Sequence, residues 1–255
     1  HETVRIQQAL QTYYYRDLTC PITEVVKAVR SGDKDAKASC GIDPWTGFRK
    51  IRPSSIPLNR GTLRINKQGD VLVLFWSTFH DPSLVEDSLR AIRSHQPKSI
   101  VINLAGNDGG ITREGEEANC IFNDRDVPYP QTRNKKGSIS IARPSQSSSY
   151  ICKQNFGELS NLPLVIYVDQ ESASTTEMFV RATRRRSCGV VVVGSPTFGK
   201  GVIQNRVAKL GDVALWVTTK EVIDEDGRSL HGTPIVPDVP GDLGDAIGIA
   251  HSLSK

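Results

Sequence analysis

No apolar run in this 255-residue chain approaches the roughly 18 to 20 residues that cross a bilayer, so stable membrane insertion is not expected. Charge of one sign is missing too. The 32 basic and 28 acidic side chains leave a formal charge of +4, too balanced to point to a nucleic-acid or membrane partner. The local cluster Arg181, Arg184, Arg185 and Arg186 closes a helix opened at Ser174, where cations complement the negative end of the helix dipole. Cys20, Cys40, Cys120, Cys152 and Cys188 include no CxxC pair and no Cys/His cluster at ligand spacing, so neither zinc nor another metal is expected. No GxSxG elbow occurs, and His80, His95 and His231 sit in loop-like or helix-end contexts without an evident carboxylate partner. No sequence repeat recurs at a fixed period.

What is present is enough apolar sequence, 38%, to bury a substantial core. Two divisions are expected: a helical region with a linker over residues 1–60, and an α/β core over 61–255. Ile6, Ala9, Leu10 and Tyr13 have helical spacing, as do Ile22, Val25, Val26 and Val29 after Pro21. Residues 31–60 are polar and rich in Gly, Pro and Ser, which reads as turns. The segment GTLRINKQGDVLVLFW alternates into a hairpin-like pair around Gly69, and Pro82 to Ser94 is amphipathic at the helical period. Ser99 to Leu104, Leu162 to Val168 and Val190 to Val193 read as buried strands. The first two of these run into turns and helices, and Val202 to Val207, Val213 to Thr219 and a closing helix over Gly244 to Leu253 complete the pattern. Asp124 to Asn161 reads as a polar surface excursion with one strand near Ser138 to Ala142. A mixed sheet with helices on its faces follows.

The cysteines leave two readings open. In an oxidising compartment Cys20 would pair with Cys40 and Cys120 with Cys152, leaving Cys188 odd; in a reducing one all five would be ordinary small residues. The chain begins at His1 without a methionine or a basic-apolar leader, which is read as a processed form whose targeting segment has been removed.

The chemistry concentrates between Leu162 and Gln204. SAST (Ser172 to Thr175) lies at a strand-to-helix junction, and TFGKG (Thr197 to Gly201) follows an apolar strand. GSPTFGK fits GxxxxGK, but Gly201 stands where a phosphate-binding loop needs Ser or Thr, and the sequence beyond it alternates like a strand. A serine hydrolase that uses lysine as base fits better. Ser174 is the candidate nucleophile, because the first turn of its helix leaves backbone amides unpaired. Thr175 supplies one candidate oxyanion donor, and the pair Gly109 and Gly110 supplies the second, since residues without Cβ allow close backbone approach. The competing reading makes Ser172, Ser174 or Thr175 a simple N-cap, with Glu177 completing a capping box. Lys200 favours the catalytic one. A solvated lysine has a pKa near 10.4, so a base working at pH 7 needs a drop of about three units, roughly 4 kcal/mol. Burial against Phe198, Val202 and Ile203 is the expected source, and Gln204 is placed to orient the amine.

With these residues in hand, the chain resembles the C-terminal processing peptidases, or tail-specific proteases. The similarity runs in order through SIVINLAGNDGG, LPLVIYVDQESASTTE, VVVVGSPTFGKGVIQ and GRSLHGTPIVPDV, and more weakly through DPWTGF. The resemblance implies a crotonase-like α/β core, a Ser-Lys(-Gln) set on Ser174, Lys200 and Gln204, and an oxyanion site on Gly109, Gly110 and Thr175. It also implies hydrolysis of peptide or unfolded-protein substrates near C-termini without a cofactor, in the periplasm or outside the cell. Three features depart from the family pattern, one being a Ser174-to-Lys200 spacing slightly longer than usual. Asn103 and Ala105 stand in NLAGNDGG where DLRxNxGG is usual, and only a short linker occupies the place of the usual PDZ domain. A non-catalytic module binding a peptide or apolar ligand on the same fold is the alternative, and esterase or amidase action on small substrates is a third reading.

Overall fold

The computed structural model describes residues 2–51, 63–124 and 127–255. Its elements run α1 (Glu2–Tyr13), α2 (Ile22–Ser31), α3 (Lys34–Ser39), β1 (Gly47–Lys50), β2 (Leu63–Gln68), β3 (Val71–Trp76) and α4 (Leu84–His95). They continue with β4 (Ser99–Asn103), α5 (Thr112–Phe122), β5 (Gln131–Asn134), β6 (Ile139–Ser140), α6 (Gly157–Ser160) and β7 (Leu164–Val168). The last are α7 (Thr175–Thr183), β8 (Val191–Gly194), β9 (Val202–Leu210), β10 (Val213–Ile223), β11 (Val239–Pro240) and α8 (Leu243–Leu253). The chain forms two compact units.

One unit gathers residues 1–56, 132–140 and 201–231. Its sheet runs β1-β10-β5-β6, with β9 also paired to β10. The apolar faces of α1 and α2 supply Ile6, Leu10, Val25, Val26 and Val29, which pack with Val202, Leu215 and Val217 of the sheet. Cys20 and Cys40 are bridged, tying the start of α2 to the end of α3. Residues 31–51 are more ordered than their polar composition predicts, because Asp33 caps α3 by accepting from the amides of Asp35 and Ala36 and β1 pairs with β10. The rest of that linker, 52–60, lies outside the described residues.

The other unit comprises residues 57–131, 141–200 and 232–255 and holds a six-stranded sheet in the order β11-β8-β7-β4-β3-β2. The hairpin partner β2 is antiparallel to β3, and the remaining pairings are parallel. Alternation along each strand decides which helices cover it. Leu72, Leu74, Ile100, Ile102, Leu164, Ile166 and Val192 face the cluster shared with α4, α5 and α7. Val71, Val73, Val101, Val165 and Val193 face Ala246 and Ala250 of α8. Burial on both faces explains the near-continuous Val/Ile/Leu runs in the sequence. At the end of β3, Trp76 lies between Phe79, Phe122 and Phe179, with ring centroids 5.4 to 6.1 Å away, while its Nε1 donates to Ser88 Oγ at 2.9 Å.

The polar excursion 124–161 is therefore more structured than a surface loop. Beyond the single strand expected, it contributes the β5–β6 hairpin, α6 and Cys152, which is bridged to Cys120 on α5. Of the two cysteine readings, the bridged one is the structure found, with Cys188 free and exposed. No helix among the described residues is long and apolar enough to cross a membrane.

Two consequences are measurable. The Cys120–Cys152 bridge closes a separation of 32 residues, so loop entropy assigns it about 3 to 4 kcal/mol. The double variant Cys120→Ser/Cys152→Ser is expected to lose about that much stability in urea titrations, with Cys20–Cys40 intact. Glu114, on α5, is 5% exposed, and its Oε2 has no hydrogen-bond partner among the described residues. Burial first, and then neighbouring Glu117, push its carboxyl up to about 7. The folded state therefore holds this proton more tightly than the unfolded chain, and stability falls as pH rises from about 4.5 to about 7, by at most about 3 kcal/mol. Urea unfolding between pH 5 and pH 8 should show that slope in the wild type and a flatter one in Glu114→Gln.

Candidate functional site

Because β3, β4, β7 and β8 are parallel, the turns that follow them emerge at the same edge of the sheet, the edge where α/β proteins build their sites. Three of these turns carry the residues singled out in the sequence: 104–111 after β4, 169–174 after β7 and 195–200 after β8.

The turn after β7 is fixed before it reaches Ser174. Ser172 is fully buried, and its Oγ donates to the Leu104 carbonyl at 2.8 Å. The Ala173 amide donates to the Asn107 carbonyl at 3.0 Å. Ser174 then takes φ 60° and ψ −120°, a left-handed conformation that costs a non-glycine residue on the order of 1 to 3 kcal/mol and is characteristic of held, functional positions. Strand, strained serine and helix follow one another as in a nucleophile elbow, although no GxSxG announces it. Of the three hydroxyls that open this helix, those of Ser172 and Thr175 donate to backbone carbonyls, Leu104 and Gly110 respectively. Ser174 is half-buried at the helix start, and with Glu177 it also meets the capping-box expectation.

Gly109 and Gly110 adopt φ 103° and 147°. A Cβ on Gly109 would fall 2.9 Å from Ser174 Cβ and 3.0 Å from the Thr175 nitrogen, and one on Gly110 would fall 2.4 Å from the Phe79 backbone. Both positions therefore require glycine, and the glycine turn lies directly against the serine turn. The two glycines are not equivalent. The Gly109 amide donates to Asn107 Oδ1 at 3.0 Å, whereas its carbonyl accepts from the Phe79 amide. The Thr175 hydroxyl donates to the Gly110 carbonyl at 2.9 Å. Asn107, which the sequence does not single out, is fully buried and joins the end of β3, the glycine turn and α7: its Nδ2 donates to the Trp76 carbonyl, and its Oδ1 also accepts from the Thr176 hydroxyl.

Lys200 ends the turn after β8 and is half-buried. That turn is attached to the serine turn twice. The Phe198 amide donates to the Ser172 carbonyl at 3.0 Å, and the Glu177 carboxylate receives the amides of Gly199 at 2.8 Å and Lys200 at 2.7 Å. The same Oε2 that accepts from Lys200 accepts from the Ser174 amide at 3.0 Å. In the sequence Glu177 reads only as half of a cap; its spacing from Ser174 is visible there, but its reach to residues 197–200 is not. Phe198, expected to help bury the lysine, is instead 57% exposed. Gln204 lies on β9 in the other unit, opposite Thr218, to whose Oγ1 its Nε2 donates at 2.9 Å.

A cluster of potential metal ligands among the described residues, Cys20, Glu24 and Cys40, has both its sulfurs joined in the disulfide.

A protein described as a probable CtpA-like serine protease from Staphylococcus haemolyticus is 28% identical over 221 residues, covering 86% of this chain and 42% of that protein. A similarly described protein from Staphylococcus aureus matches with the same identity and coverage. The chain thus spans less than half the length of these relatives. Among solved structures, a lipoprotein from Streptococcus agalactiae superposes with a TM-score of 0.73 at 16% identity, over 98% of this chain and 94% of that one. The photosystem II D1 C-terminal processing protease gives 0.52 at 22% identity, over 72% and 46%. The profile of peptidase family S41 matches residues 61–240, which takes in both the serine and the lysine turns, and on that match the chain belongs to peptidase family S41.

Proposed function

We propose that the protein is a serine endopeptidase in which Ser174 is the nucleophile and Lys200 the general base. The observation that carries this reading is the shared carboxylate oxygen: the backbone amides of Ser174 and Lys200 both donate to Glu177 Oε2, at 3.0 and 2.7 Å, so the two residues lie on adjoining turns.

The neutral amine of Lys200 takes the hydroxyl proton as Ser174 Oγ bonds to the carbonyl carbon of a peptide bond. Negative charge moves to the carbonyl oxygen, and in this reading the amides of Gly110 and Thr175 receive it. Gly109 serves this site by its backbone conformation, since its own amide is committed to Asn107. The carbon–nitrogen bond then breaks, and the lysine ammonium returns the proton to the leaving amine. Water, deprotonated by the same amine, attacks the resulting ester, and Ser174 recovers its hydroxyl. Gln204 enters as the group that orients the amine. Its Nε2 donates to Thr218 Oγ1. Peptides or unfolded proteins are the substrates, with preference near C-termini carried by the family resemblance alone. A periplasmic or extracellular location is consistent with the two disulfides.

A fluorophosphonate probe tests the assignment. The wild type is expected to be labelled on Ser174, Ser174→Ala not at all, and Lys200→Ala about 10² to 10⁴ times more slowly. Labelling of the wild type should rise with pH as the base loses its proton. An intact, folded protein that resists the probe while binding peptide would instead identify a non-catalytic module.

A further inference from the structure

Glu177 is 4% exposed. The charge of Arg181, one helical turn later, interacts with it, while that guanidinium also donates to the Thr233 carbonyl. Four donors hydrogen-bond to the carboxylate: the amides of Ser174 and Lys200 on Oε2, and the amide of Gly199 and the hydroxyl of Thr197 on Oε1. The Thr197 hydroxyl is held in the donor orientation because it already accepts from the Ile235 amide at 2.8 Å. An ionised carboxylate, which only accepts, is the one side chain of this size that satisfies all four. A glutamine would turn an NH₂ toward two donors and leave them unpaired.

The strain at Ser174 gives this arrangement a further meaning. A serine at φ 60° persists only where its surroundings over-determine it. Here the amide of that same residue is bound to the group that also binds the Lys200 amide. We propose that ionised Glu177 is a positioning residue that couples the serine turn to the lysine turn, setting the distance between the hydroxyl and the amine without touching the substrate. The proposal rests on the Ser174/Lys200 reading for its catalytic consequence, while the mechanical coupling stands apart from it.

Two measurements on Glu177→Gln separate these layers. Amide hydrogen exchange is expected to accelerate about tenfold or more at residues 199 and 200 and at 174 together, with β3, β4 and β7 unchanged. Saturable inactivation by the fluorophosphonate should show kinact falling about 100-fold, the scale on which misplacement of about 1 Å acts, with KI within about threefold of wild type. Glu177→Asp keeps the charge but withdraws it by one methylene, and should fall between the two in kinact; it also serves if the glutamine variant does not fold. Unchanged exchange at 199 and 200 would overturn the coupling whatever the activity. Accelerated exchange with unchanged kinact, or a loss confined to KI, would overturn the positioning role. A wild type that is never labelled would refute the Ser174/Lys200 reading and with it the catalytic consequence, leaving the coupling to be judged by exchange alone.

Discussion

Backbone amides that converge from separate turns repel one another unless an acceptor lies between them. At the strand-end edge of the six-stranded sheet, the amides of Ser174, Gly199 and Lys200 converge on the Glu177 carboxylate. That carboxylate is buried, so its interactions are electrostatically stronger than they would be in water. Its position on the first turn of α7 also sets its negative charge against the positive end of the helix dipole. The serine turn, the lysine turn and the start of the helix therefore share one electrostatic centre, and the rest of the site is assembled around it.

Asn107 does for the glycine turn what Glu177 does for the lysine turn. A side-chain amide both donates and accepts, and Asn107 uses both capacities, toward the Trp76 carbonyl on one side and toward the Gly109 amide and Thr176 hydroxyl on the other. Its substitution by aspartate would lose the donor, and by leucine the whole connection. Beneath it, the Trp76, Phe79, Phe122 and Phe179 rings provide a rigid apolar floor that joins β3, α5 and α7.

Much of this was legible in the sequence because the strands are buried and the motifs are local. The apolar runs of β4, β7 and β8 mark strands without ambiguity, and Ser172 to Thr175 and Thr197 to Lys200 mark the turns that follow two of them. Less legible were the elements whose existence depends on distant partners. β1 is four residues long and is defined by pairing with β10, and β11 by two residues beside β8. Of the β5–β6 hairpin, only the strand near Ser138 to Ala142 is legible; β5, partly buried but polar in sequence, shows no apolar alternation. Within the site, spacing alone could not distinguish Gly109 from Gly110, since only the folded turn shows that Asn107 takes the first amide. Glu177 was visible three residues after Ser174, but the contacts to Thr197, Gly199 and Lys200 cross 20 to 23 residues of chain.

Asn103 and Ala105, the departures from the usual DLRxNxGG pattern, have a plain structural reading. Asn103 Oδ1 accepts from the Ala105 amide at 2.9 Å, a task an aspartate oxygen would perform equally, and the next amide, of Gly106, goes to Asp169. The turn is thus shaped through its main chain, and the methyl group of Ala105 supplies none of these bonds. Positions whose side chains are idle in this way are where a lineage can diversify the rim of an active site while leaving its inner geometry inherited intact.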